Sequence, residues 1–83
     1  MKMNKEKFLQ TEFGSSLQEC IECWDDSLER GDTKGSSWCQ AQWEVYQMAI
    51  RQFYKIEYHF SRTDEYFGVC TEDESDWLFR VER

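Results

Sequence analysis

The chain has 83 residues, one third of them charged, and a formal net charge of −7. That field repels the phosphates of nucleic acids and anionic lipid head groups, so direct binding to either is disfavoured. Aromatic residues make up 17% of the chain, far more than a disordered segment carries, and the length fits a single domain over residues 1–83.

No stretch approaches the length needed to span a bilayer, and residues 1–10 hold no sustained apolar run of the export-signal kind. The cytoplasm is the expected compartment. The four cysteines, Cys20, Cys23, Cys39 and Cys70, are then expected as free thiols.

In chain order, Asn4 suits an N-cap, and Phe8, Leu9 and Phe13 form a short apolar stripe before Gly14. The pattern predicts a helix over 5–13. Ser16 followed three residues later by Glu19 fits a capping box for a second helix over 16–30. Its apolar stripe is Leu17, Cys20, Ile21, Trp24 and Leu28, and Gly31 ends it. Residues 31–37, Gly-Asp-Thr-Lys-Gly-Ser-Ser, read as a loop. A third helix is predicted over 38–54. Its apolar side is Cys39, Gln42, Trp43, Tyr46, Ala49, Ile50 and Phe53, with Gln40, Glu44, Gln47, Arg51 and Lys55 in solvent.

After Lys55 the hydrophobic period changes to two, which predicts strands over 56–61, 66–71 and 77–82. A two-residue loop at Thr63-Asp64 would pair Phe60 with Phe67 and place Glu57 opposite Cys70. A loop at Asp73-Glu74-Ser75 would pair Val69 with Phe79. One sheet face then carries Ile56, Tyr58, Phe60, Phe67, Val69, Trp77, Phe79 and Val81. The other carries Glu57, His59, Tyr66, Gly68, Cys70, Leu78, Arg80 and Glu82. The expected fold class is α+β, with three N-terminal helices packed on one face of a C-terminal three-stranded antiparallel β-meander. Trp24, Trp43, Phe53, Tyr58, Val69 and Phe79 are its expected core.

Chemistry-bearing patterns are few. Cys20-Ile21-Glu22-Cys23 has the spacing of a redox dithiol or half a zinc site. It lies inside a helix among Glu19, Glu22, Asp25 and Asp26, which disfavour a thiolate. Cys23 also points about 60° away from the apolar face, so Cys20 reads as a core residue and no metal ligand is assigned. His59 is the only histidine, and its offset from Cys70 in the expected register is diagonal or greater, against a Cys–His dyad. No phosphate-binding glycine loop is present. The expectation is therefore a protein that is not an enzyme, with no catalytic residue and no cofactor.

The negative charge is concentrated in two blocks. Between residues 15 and 33 six acids face Arg30 alone; between 64 and 76 there are six acids and no base. Candidate partner-binding residues are Glu22, Asp25, Asp26 and Glu29 on the second helix, and Glu72, Asp73, Glu74 and Asp76 in the last turn. On the open sheet face they are Tyr66, Leu78 and Arg80. The expected function is a protein-interaction module whose partner is another protein, one with a basic surface. In size and acidity the chain resembles the small accessory proteins of phages and mobile elements. The resemblance implies a second reading, a nucleic-acid-mimicking inhibitor of a DNA- or RNA-binding enzyme. A metal or redox protein built on the CxxC is the third.

Overall fold

A computed structural model describes residues 3–83. Among them the order is α1 Lys5–Gln10, α2 Glu12–Arg30, α3 Thr33–Tyr54, then β1 His59–Arg62, β2 Tyr66–Cys70 and β3 Trp77–Glu82. This is an α+β arrangement, three helices followed by an antiparallel sheet of order β1-β2-β3. No helix among the described residues is long and apolar enough to cross a membrane. The chain forms two compact units, one ending at Tyr46 and the other covering Gln47–Arg83, and α3 is a continuous helix running through the boundary.

The first helix ends three residues earlier than the sequence suggests, because Thr11 caps both neighbours. Its backbone is extended, its hydroxyl donates to the Phe8 carbonyl at 2.6 Å, and the same oxygen accepts from the Gly14 amide at 3.0 Å. This cap takes the role expected of Ser16, so the capping box does not form. Gly14 lies inside α2 and is needed for close approach: a Cβ there would sit 2.7 Å from the Phe8 carbonyl carbon and 2.8 Å from the Leu9 Cα. Phe13 stacks edge-on against Phe8 and Tyr46, at centroid distances of 5.7 and 5.1 Å. Leu17, Cys20, Ile21, Cys39 and Trp43 are buried, while Trp24 is half-buried.

Gly31 closes α2 in the left-handed conformation (φ 71°), with the Asp32 amide donating to the Ser27 carbonyl at 2.8 Å. The expected loop over 31–37 is instead the start of α3. The Asp32 carboxylate accepts from the Gly35 amide at 2.9 Å, and its carbonyl accepts from Ser36 N at 3.0 Å. An aspartate N-cap outweighs the poor helix propensity of Gly35, Ser36 and Ser37.

Lys55 ends α3 at φ 60°. The first strand starts at His59 rather than 56, because the Tyr58 carbonyl accepts from Gln47 Nε2 at 2.6 Å. Tyr58, Val69 and Leu78 are buried, as are Ile50, Phe67 and Cys70, but Phe79 is only half-buried. Phe53, expected in the core, is 73% exposed in the last turn of α3.

Strands β1 and β2 pair with Phe60 opposite Val69 and His59 opposite Cys70. The register differs from expectation by two residues because Thr63 pairs across to Tyr66, leaving Asp64-Glu65 as the loop. Thr63 Oγ1 accepts from both Glu65 N and Tyr66 N, each at 3.2 Å, and fixes that turn. A slip of two preserves the sheet faces. In the second hairpin Val69 faces Phe79 as expected, but a bulge between Val69 and Cys70 then sets Cys70 opposite Trp77. The bulge exchanges two side chains: Trp77 joins the face of Tyr66 and Arg80, and Leu78 is buried, only 3% exposed.

Candidate functional site

The first acidic block is less available than its sequence implies. Glu22, Asp26 and Glu29 are exposed, but Asp25 is buried one turn beyond Ile21. Asp26 accepts from Arg30 Nε at 2.9 Å across one helical turn.

The second block builds a turn. Asp73 accepts from the Thr71 hydroxyl at 2.8 Å, the Ser75 hydroxyl at 2.7 Å and the Ser75 amide at 3.1 Å. Those donors, the Ser75 hydroxyl first, hold its carboxyl below the ordinary aspartate value. Glu74 sits at φ 59° and accepts from the Tyr66 hydroxyl at 3.0 Å, which raises the phenol's pKa. Glu72 is exposed; Asp76 is half-buried beside the Tyr58 hydroxyl. Burial, then the Asp76 charge, pushes the Tyr58 phenol up to about 12.

The sheet face keeps two of its three expected residues. Tyr66 and Trp77 meet edge to face at 5.3 Å, and the Arg80 guanidinium lies 5.3 Å from each ring. Arg80 Nε also pairs with Glu82 at 3.1 Å. Leu78 does not belong to this surface.

Along β1 and β2, a cleft of about 330 Å³ is lined by Glu57, His59, Phe60, Ser61 and Cys70, with Thr71, Glu72 and Glu74 of the following turn. His59 is directly opposite Cys70, not diagonal to it as the expected register had it. The thiol is nonetheless held above its ordinary value, by burial first and by Glu74 next, which opposes thiolate chemistry.

The other three cysteines gather around α2 and α3. Cys20 Sγ donates to the Cys39 carbonyl at 3.5 Å, and Cys23 is exposed. Burial lifts Cys20 to about 11, with the Cys39 and Cys23 thiols adding to the shift. Among the described residues no three His, Cys, Asp or Glu side chains are placed to hold a metal ion.

Sequence reasoning missed an exposed apolar side of α3. Helix α3 buries Cys39, Trp43 and Ile50, yet leaves Trp38 63%, Val45 64% and Met48 55% exposed. At 100° per residue these three lie about 120–160° round the helix from the centre of the buried stripe. The signal was present as apolar residues at 38, 41, 45 and 48, a spacing of three and four outside the core face.

No known protein family, curated protein or solved structure matches this chain.

Proposed function

We propose that this protein is a non-enzymatic interaction module that docks on another protein through the exposed apolar side of α3. One observation carries the reading: Trp38, Val45 and Met48 share one side of a single helix and are each more than half exposed. Exposed apolar residues grouped on one helix side, unlike ones scattered singly, are a feature of contact surfaces. The Tyr66–Trp77–Arg80 cluster is a second, smaller contact candidate, rich in the residue types that anchor interfaces.

The nucleic-acid-mimic reading has less support. Mimicry needs free carboxylates presented at a surface. Asp25 is buried, Asp26 is engaged by Arg30, and Asp73 holds its own turn together. Glu22 and Glu72 remain as its exposed candidates.

The test is site-specific photo-cross-linking in the source cell, with the cross-linker at Val45 and a control at Gln40 on the polar side of α3. A protein adduct is expected at position 45 alone, weakened by Trp38→Ser and Met48→Ser. Equal adducts at both positions, or none at 45, would count against this surface.

A further inference from the structure

We propose that the exposed side of α3 pairs, antiparallel, with the same side of a second copy of this chain. The inference rests on the interaction-module reading and names its partner.

Three observations converge. The first is spacing. Trp38, Val45 and Gln52 fall at one heptad position, and Lys34, Ala41, Met48 and Lys55 at the other. That alternation of three and four is what one helix presents to another along a shared seam. In the antiparallel register argued below, Val45 and Met48 form the two central layers, with Ala41 level with the second copy's Gln52 and Trp38 level with its Lys55.

The second is charge. Of the 17 acidic residues only Glu44 lies on α3, whose other charges are Lys34 and Arg51. Two copies of net charge −7 repel each other over most of their surfaces. The α3 side is where that repulsion is least.

The third is orientation. Glu44 and Arg51 flank the seam on the same side, seven residues apart. In an antiparallel pair, residues at this flanking position face each other. Setting Val45 level with the second copy's Met48 brings Glu44 beside the second copy's Arg51, and two-fold symmetry repeats the contact. A parallel pair would place Glu44 near Ala49 and leave both charges unused.

The seam is short, about two heptads, and covers well under the roughly 800 Å² per partner of a standard stable interface. Association is therefore weak and reversible, with a dissociation constant of about 10–100 µM.

Sedimentation equilibrium on the intact chain, over concentrations bracketing that range, tests the pairing. The wild type is expected to show a monomer–dimer equilibrium. Val45→Glu, at an exposed position, should keep the helical circular dichroism and weaken the dimer at least about tenfold. Glu44→Arg should weaken it several-fold, and adding Arg51→Glu should restore it, because the swapped pair re-forms only in the antiparallel arrangement. A chain that stays monomeric throughout, or a dimer indifferent to Val45→Glu, overturns the proposal. So does a double swap that fails to restore affinity lost by Glu44→Arg. A monomer that still cross-links from position 45 to a different protein overturns self-pairing alone and leaves the interaction module standing.

Discussion

Leu78→Ala separates the bulged hairpin from a regular one. In a regular meander Leu78 would stand on the open face, and truncating it would change stability by less than about 0.5 kcal/mol. The bulge instead leaves it 3% exposed. Removing roughly three methylene equivalents at about 0.8 kcal/mol each gives about 2.4 kcal/mol. The cavity left behind brings the expected loss to about 3–4 kcal/mol. Total stability for a chain of this length is about 4–12 kcal/mol, so the variant should have a much lower urea midpoint at an unchanged slope. Trp77→Ala provides the contrast. It removes a half-buried ring and its contacts with Tyr66 and Arg80, and should cost about 1–2 kcal/mol. A Leu78→Ala midpoint equal to wild type, or a larger loss at Trp77 than at Leu78, would refute the bulge and return Leu78 to the open sheet face.

Gly14→Ala should destabilise the fold by about 1–3 kcal/mol in urea, although alanine ordinarily stabilises a helix by up to about 1 kcal/mol over glycine, because the new Cβ meets the α1 backbone. Thiol titration of the native protein should give one fast equivalent, Cys23, and three slow ones that react only on unfolding; a fast Cys20 would contradict its burial and its pKa of about 11. The Asp73 carboxyl is lower in the folded chain than in the unfolded one. Its contribution is therefore present above about pH 4 and lost as the pH falls through the folded value. Asp73→Asn should flatten the acid limb of the pH–stability curve, and an unaltered limb would refute the assignment. At the alkaline end Tyr58 behaves oppositely: stability is intact below about pH 10 and declines as the pH rises towards 12, and Tyr58→Phe should reduce that decline.

Periodicity made the element types legible. Leu17, Cys20 and Ile21 repeat at helical spacing and are buried; Phe67 and Val69 alternate on a strand and are buried. What was illegible came from competing local interactions. Thr11 caps two helices with one hydroxyl, so the break falls there and not at Gly14. Asp32 caps α3, so a glycine- and serine-rich stretch becomes helix. A single extra residue at the Val69/Cys70 bulge reversed Trp77 and Leu78, and no pattern of alternation announces a bulge. The exposed apolar side of α3 was hidden for a different reason. A stripe search stops at the best apolar face, and α3 has two: Trp43 and Ile50 define the buried one, and Trp38, Val45 and Met48 the exposed one.

That second face bears on what the acidity is for, and salt distinguishes the alternatives. If the carboxylates engaged a basic partner, every attraction would be between opposite charges, and added salt would weaken binding steeply. Self-pairing through α3 has the opposite balance. Its central layers, Val45 against the second copy's Met48, are apolar, and its two Glu44–Arg51 pairs per dimer are worth about 0–1 kcal/mol each when exposed. Against them stands the repulsion between two bodies of net charge −7. Screening shortens the reach of that repulsion from about 30 Å at 0.01 M ionic strength to about 10 Å at 0.1 M. Raising salt over that interval should therefore tighten the dimer. Charge reversal of Glu22, Asp26 and Glu29, which lie off α3, should tighten it at low salt and make it less sensitive to salt. Sedimentation equilibrium at several ionic strengths measures both effects. A dimer that loosens as salt rises would mean that opposite charges hold it, and the acidic blocks would then be the interface rather than the reason only α3 is free to form one.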